Sequence, residues 1–483
     1  MADATRSPRQ GKRAYARRVT ELHELTAVDL AGALRRGDIT PAAAAAHYLA
    51  RIEHHAALGA FAEVTPHAAF ERADAVGRSP VRGLLHGVPL ADKDLVARAG
   101  VPTRYGSLAR RDYVPAASDP LAAALDDAGA VNLGKTATSE FGLTGYTEPR
   151  TGRPARDPWN PANGAGGSSG GAAVAVAAGL LPFAVASDGG GSIRIPAATV
   201  GVVGLKPSRG RLPIGSGFDS PDGLAVTGPI ARTVVDAAFL LDALVGLAPF
   251  RYATRAPGGG PFLAAATTPP AQLRIGVTTI SPWDDSEDIR VDADASAAVD
   301  AASSALDALG HGTDDARWTP RGYAELFRVL WRASAARIPL SDADLDVVEP
   351  LTAWLVRQGR GLAASDLLGA LSAARVFERE TIEAFAPFDA VLTPALALPP
   401  QRVGWYEGLG PERTFARQVE YAPFSSFVNV AGLPAVTVPF TRDPSGHPVS
   451  VQLIGRPGGE ATILALAAQL EAVRGPLPHP PNE

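Results

Sequence analysis

Residues 164–206 read GAGGSSGGAAVAVAAGLLPFAVASDGGGSIRIPAATVGVVGLK, and this stretch decides how the rest of the chain is read. A Gly-Ser tract gives way at Gly170 to small apolar residues that predict a helix as far as Ala178. Phe183 to Ser187 then read as extended, and three glycines, Gly189, Gly190 and Gly191, lead through Ser192 into the helix-like IRIPAA. A Gly-rich tract taken alone is ordinarily a flexible loop or a place of close packing. Here two tracts, each carrying serine, stand 24 residues apart between Ser168 and Ser192. Consecutive glycines can point several backbone N–H groups into one concavity, and such a nest beside a hydroxyl is what a tetrahedral oxyanion requires.

Working outward, helical and extended patterns alternate along the chain. Thr40-Pro41 is an N-cap followed by a first-turn proline and opens an Ala-rich helix to about His55. Strands are expected at Ala60–Val64, at Leu84–Leu95 carrying Lys93, and at Ala130–Leu133, with a helix at Asp119–Ala128. Further helices are expected at 233–246, 291–309, 322–338, 364–385 and 460–473, and strands at 273–278, 389–394, 435–440 and 449–455. The order predicts an α/β fold, one large domain over 19–483 in which a sheet is covered by helices. No linker divides it and no internal repeat is visible. Between about 250 and 420 the composition turns more helical and more charged.

The composition excludes several chemistries. The 483 residues include no cysteine, which removes disulfides, thiolate metal sites and thiol nucleophiles. The net charge is −5, aromatics are 6% and the arginines are scattered, so no nucleic-acid footprint emerges. The leader MADATRSPRQGKRAYARR (1–18) is basic and flexible, with no apolar run behind it to make a secretion signal or anchor. No membrane span is expected, and the cytoplasm is the expected compartment. Neither metal nor cofactor is called for, and a homodimer is left open. Of the 45 cationic side chains only four are lysines, Lys12, Lys93, Lys135 and Lys206. In a chain that uses arginine wherever a positive charge suffices, each surviving lysine is worth inspecting.

Three patterns compete for the chemistry. Gly129-Ala-Val-Asn-Leu-Gly134-Lys135-Thr136 satisfies the phosphate-loop expression, but a helix precedes it and its interior reads as a buried strand, so Lys135 is expected to be structural or to edge the site. Gly166-Gly167-Ser168-Ser169-Gly170 fits a nucleophile elbow, which would need one of His311, His447 or His479; its approach, Asp157 to Gly164, is turn-rich where a strand should stand. The third pattern joins Lys93 in GVPLADKDL to both glycine tracts.

That third pattern resembles the amidase signature family of serine hydrolases, through GGSSGG at 166–171, DGGGSIRIPA at 188–197 and GVVGLKPSRGR at 201–211. The similarity runs from about residue 25 to 246, with the signature core at about 84–246, and returns at 429–440 and 451–457, leaving a variable helical region at about 250–420. The resemblance implies a central mixed, twisted sheet covered by helices. It implies Ser192 as nucleophile, Ser168, held by a cis peptide bond, as proton bridge, and Lys93 as base. Gly189, Gly190 and Gly191 would surround the oxyanion, Ser169 would support Ser168 by hydrogen bonding, and Asp188 and Arg194 would organise the loop. The implied partners are a small-molecule amide and water.

A base at Lys93 has to be neutral near pH 7, which costs roughly 4.6 kcal/mol from a solution pKa near 10.4. Burial must lower the pKa. Asp92 and Asp94 would oppose that, but alternate strand residues face opposite ways, so both can turn aside while Lys93 enters the site. Arginine could not substitute, since it does not deprotonate in proteins.

The sequence departs from the family pattern at Gly189, where Thr or Ile is frequent, and at Ala186, where Gly is. Residues Gly142 to Thr147 are candidates to line the pocket. A stand-alone amidase is the leading reading, with ester or carbamate hydrolysis as a side activity. The alternatives are the A subunit of a glutamyl-tRNA amidotransferase, against which Ile195 stands in place of the usual Gln, and a non-catalytic scaffold of the same fold.

Overall fold

The computed structural model describes residues 21–247, 256, 260–478 and 480. The basic leader and His479 lie outside the described residues. The strands are β1 (Phe61–Val64), β2 (Pro89–Lys93), β3 (Val131–Thr136), β4 (Phe183–Asp188), β5 (Val203–Lys206), β6 (Val226–Ala231), β7 (Arg274–Val277), β8 (Gly312–Asp315), β9 (Ala390–Pro394), β10 (Ala435–Arg442) and β11 (Pro448–Gly455). They form an eight-stranded mixed sheet in the order β4-β6-β5-β10-β11-β9-β7-β8 and a three-stranded sheet in the order β1-β3-β2. The two meet where β2 lies against β4. The α/β fold with a mixed, helix-covered sheet is therefore as expected, with its strands divided between two hydrogen-bonded sets.

Most expected elements stand within a few residues of their sequence-based bounds. Strand β2 is shorter than 84–95, because Val96 N–H turns back to the Lys93 carbonyl and ends it. Strands β5, β6 and β8 were not anticipated. Strand β6 carries Gly228-Pro229, which reads as a break, yet it is paired on both sides, antiparallel to β4 and to β5. Cross-strand packing overrode local preference there.

The helix Gly170–Ala177 explains why the decisive stretch is so rich in small residues. All eight of its residues are buried. A Cβ at Gly171 would stand 2.4 Å from the Ala137 amide nitrogen and from the Ala60 carbonyl oxygen, so only glycine permits this approach to the β1–β3 sheet. One core of Ala, Val and Leu fills the space between the large sheet and the helices Val234–Val245, Ala293–Ala308 and Glu460–Arg474. A second core is aromatic. It gathers Trp283, Trp318, Tyr323, Phe327, Phe377 and Phe427 around the helix Tyr323–Ala336. No helix among the described residues is long and apolar enough to cross a membrane.

Candidate active site

Two chain segments converge where the sheets meet. Strand β2 ends on Lys93, and β4 ends on Asp188, from which the glycine tract runs through Ser192 into the helix Arg194–Val200. Lys93 is 2% exposed, and its Nζ lies 2.7 Å from Ser168 Oγ and 3.2 Å from Ser187 Oγ. The Gly167–Ser168 peptide bond is cis. Ser192 is 8% exposed and borders the pocket, and its carbonyl accepts from Ser169 N–H at 3.2 Å. Among the described residues no hydrogen bond joins Ser168 Oγ to Ser192. Lys93, Ser168 and Ser192 are thus brought into one neighbourhood, with Lys93 hydrogen-bonded to Ser168.

The neighbours of Lys93 do turn aside. Asp92 bonds Arg98 at 2.6 Å, and Asp94 accepts from the Arg104 amide and faces Lys135 at 3.6 Å. Burial then dominates Lys93 and pushes its amine down to about 7, with the field of Asp188 opposing. Lys206 is pushed down to about 7 as well, by burial and by the guanidinium of Arg194. A depressed lysine is therefore not unique to the site, and what distinguishes Lys93 is a serine hydroxyl within reach.

Asp188 holds the glycine tract in shape. Its carboxylate accepts from Gly191 N–H at 2.7 Å and Ile193 N–H at 3.1 Å, and from Arg194 Nε and a terminal guanidinium nitrogen at 3.0 Å each. Burial opposes its ionisation, but Arg194, Lys206 and Asn429 together hold it well below the ordinary carboxylate range. Arg194 is anchored in turn by Gln452 at 2.9 Å and Asn429 at 2.6 Å.

This geometry separates the three glycines. Gly191 N–H is spent on Asp188, whereas the N–H groups of Gly189, Gly190 and Ser192 meet no acceptor among the described residues. Gly191 has a φ of +128°, and a Cβ there would lie 2.3 Å from Ser425 Oγ. Its role is to shape the turn rather than to donate. A Cβ at Gly189 would meet the Trp331 ring at an ordinary 3.5 Å, so that position leaves room in front of the indole.

Ser169 differs from expectation. Its hydroxyl donates to the Ser187 carbonyl at 3.3 Å instead of to Ser168, because the helix start turns it toward β4. Its link to the base runs through Ser187, a residue that the sequence reading passed over. The elbow alternative finds no support among the described histidines: His447 pairs with Asp157 at 2.8 Å and His311 with Gln469 at 2.9 Å. The phosphate-loop match is buried strand β3, in which Lys135 bonds the Val96 carbonyl and Thr103.

A cavity of about 70 Å³ opens at Ser192. Gly142 to Gly145 form one wall, as anticipated, and Trp283, Phe327, Trp331 and Phe415 form another. These aromatics come from the middle of the chain, where no motif marked them. Their partners fix them: Trp331 Nε1 donates to the Leu143 carbonyl at 3.3 Å, and Phe327 stacks on Trp331 at 5.4 Å. Among the described residues no charged side chain lines this cavity. Elsewhere, Glu21, His23 and His47 stand close enough together to share a cation, although burial, and after it Arg51, disfavours positive charge on His47.

The comparisons agree with this architecture. The family model described as Amidase matches residues 43–464. Two curated relatives described as "putative amidase" align over most of the chain. The one from Synechocystis sp. is 34% identical over 94% of this chain and 89% of its own length. The other, AmiB2 of Mycobacterium tuberculosis, is 39% identical over 84% and 85%. Among solved structures, 6-aminohexanoate cyclic dimer hydrolase superposes with a TM-score of 0.86 at 28% identity, covering 95% of this chain and 99% of that one. The peptide amidase of Stenotrophomonas maltophilia gives 0.76 at 27% identity, covering 95% and 98%.

Proposed function

The chain belongs to the amidase signature family, hydrolases of amide C–N bonds, and on that premise we propose that it cleaves a small carboxylic amide through an acyl-enzyme on Ser192. The observation that carries this reading is the buried Lys93 amine 2.7 Å from Ser168 Oγ, in the neighbourhood of Ser192, whose own N–H and those of Gly189 and Gly190 meet no acceptor among the described residues. Neutral Lys93 accepts the Ser168 proton, Ser168 accepts that of Ser192, and Ser192 Oγ attacks the carbonyl carbon. The oxyanion is held by the N–H groups of Gly189, Gly190 and Ser192, with Gly191 shaping the turn. The proton returns through Ser168 to the leaving nitrogen as the C–N bond breaks. Water then attacks the acyl-enzyme, giving its proton to the same relay, and Ser192 is regenerated.

The uncharged cavity favours a free amidase over a glutaminase, because glutamine would bring an α-ammonium and an α-carboxylate that no lining side chain pairs. Ester hydrolysis would follow from the same acyl-enzyme. The proposed compartment is the cytoplasm, in keeping with the absence of cysteine.

A fluorophosphonate label mapped by mass spectrometry tests the reading. The expected adduct is confined to Ser192, lost in Ser192→Ala and slowed in Lys93→Ala. An adduct on Ser168 that persists in Ser192→Ala would sink it.

A further inference from the structure

A second and much larger cavity, about 880 Å³, lies beyond the first. Two chain segments run from one into the other. Phe141 lines the large cavity while Gly142 to Gly145 line the small one. Along the segment that begins with the helix Tyr323–Ala336, Phe327 and Trp331 face the small cavity, and Ser334, Arg337 and Ile338 face the large one. Phe327, Trp331 and Ser334 follow one face of the helix, and Arg337 and Ile338 continue just past its end, so the two cavities are neighbours along both segments.

Gly142, in the wall of the small cavity, lies between Ser168 and the large one. A Cβ built on Gly142 would lie 3.5 Å from Ser168 Oγ and 2.7 Å from Leu95 Cδ1, and Leu95 is itself part of the large cavity's wall. Under the proposed relay Ser168 protonates the departing nitrogen, so the amine half of the substrate must lie on Ser168's side of the scissile bond. The large cavity opens on that side.

Its chemistry differs from that of the acyl end. Tyr105 stacks on Phe141 at 6.1 Å and lies 6.2 Å from Tyr113, making an aromatic ledge. Tyr105 and Phe141 are also the two non-glycine residues with positive φ among the described residues, +53° and +50°. Phe141 N–H donates to the Tyr105 carbonyl at 2.7 Å, locking the pair in conformations that cost backbone energy. Around the ledge stand Arg110, Arg111 and Arg337 against one carboxylate, Asp112. Arg110 faces Asp344 at 4.0 Å, while Arg111 and Arg337 form no ion pair with a described residue.

The geometry points to a leaving-group site in this cavity that selects an aromatic amine carrying a carboxylate. The ring lies on the Tyr105–Phe141 ledge and the carboxylate meets Arg111 and Arg337, whose planar guanidinium groups suit it. The inference rests on the reading of Ser192 as nucleophile. Hydrolysis adds OH from water to the acyl group and H to the amine, so no further reactant is needed.

The test uses two anilides with the same short acyl group, one leaving as 4-aminobenzoate and one as neutral 4-aminoacetophenone, assayed with the full-length enzyme. The ratio of their kcat/KM values is compared between wild type and Arg111→Gln/Arg337→Gln, so the intrinsic reactivity of the two amines cancels. The expected result is a fall in that ratio of about tenfold, carried by KM for the carboxylate and reproduced in wild type by raising the salt. In Arg337→Glu the preference shifts toward a cationic 4-aminobenzylamine leaving group, a gain that misfolding cannot produce. An unchanged ratio, or cleavage of a simple primary amide but of neither anilide, overturns the leaving-group site and leaves the Ser192 reading standing. Failure to cleave any amide, with no label on Ser192, overturns both.

Discussion

The glycine-rich segment 164–206 and the helical segment 322–338 face each other across the small cavity, built from opposite materials. The first works with its backbone: uncommitted N–H groups at 189, 190 and 192, a glycine at 191 where a Cβ would collide with Ser425, and one carboxylate, Asp188, tying the turn together. The second works with its side chains, presenting Phe327 and Trp331 to the small cavity and Arg337 to the large one. Backbone geometry at a reacting centre tolerates little substitution wherever a new side chain would shift a donor, because each N–H has to lie at one place. A wall of side chains can be exchanged with a change of preference rather than a loss of chemistry. That contrast teaches that reaction and selectivity are written in different parts of this chain.

The comparison can be broken most forcefully at Ser192. Ser192→Ala should lower kcat/KM by about 10⁴-fold or more, read in an amide assay; a loss no larger than that of a wall residue would erase the distinction. Next comes the base. Since Lys93 sits near 7 in the folded protein, it is protonated below that pH and neutral above it. The expected kcat/KM falls about tenfold per unit below 7 and is flat above, and Lys93→Arg should be inactive across the whole profile. The sign carries over to stability. Between about 7 and 10.5 the unfolded chain holds a proton that the folded amine has lost, so this group's burden on stability eases as the pH rises through that window.

A sharper version sets two glycine positions of the same tract against each other. Gly191→Ala should cost about 10²-fold in kcat, since its strained φ and the clash with Ser425 displace the oxyanion donors. On the opposite wall, Trp331→Ala should leave fluorophosphonate labelling of Ser192 nearly intact while shifting the preference between small and bulky acyl groups by about tenfold. Gly189→Ala should do least, under about threefold in kcat/KM, because its new methyl meets the Trp331 ring at ordinary contact distance.

Lys93, Ser168 and Ser192 were legible through the resemblance of their motifs to a known family, although Lys93 and Ser168 stand 75 residues apart; what residue type alone carried was local. The strand alternation that turns Asp92 and Asp94 away from Lys93, and the small-residue helix after Ser169, are short-range consequences of residue type. What escaped was assembled over long separations. Ser187 escaped because its tie to Lys93 spans 94 residues, and Asn429 and Gln452 because they reach Arg194 from 235 and 258 residues away. Trp283, Phe327, Trp331 and Phe415 carry no motif, since an aromatic residue looks the same in a core as at a pocket. Gly191 was read as a donor because three glycines in a row are indistinguishable until the Asp188 carboxylate takes one N–H.

The sequence by itself determined an α/β order, two glycine tracts with their serines, and a chain in which lysine is rare enough to be noticed. Burial alone could not choose among the lysines, since Lys93 and Lys206 are both pushed down to about 7. Only the tertiary structure separates their surroundings: it sets Ser168 Oγ 2.7 Å from Lys93 and leaves Lys206 on the Pro207 carbonyl at 2.8 Å, and the base proposed is the one with a serine proton within reach as well as a lowered affinity for it.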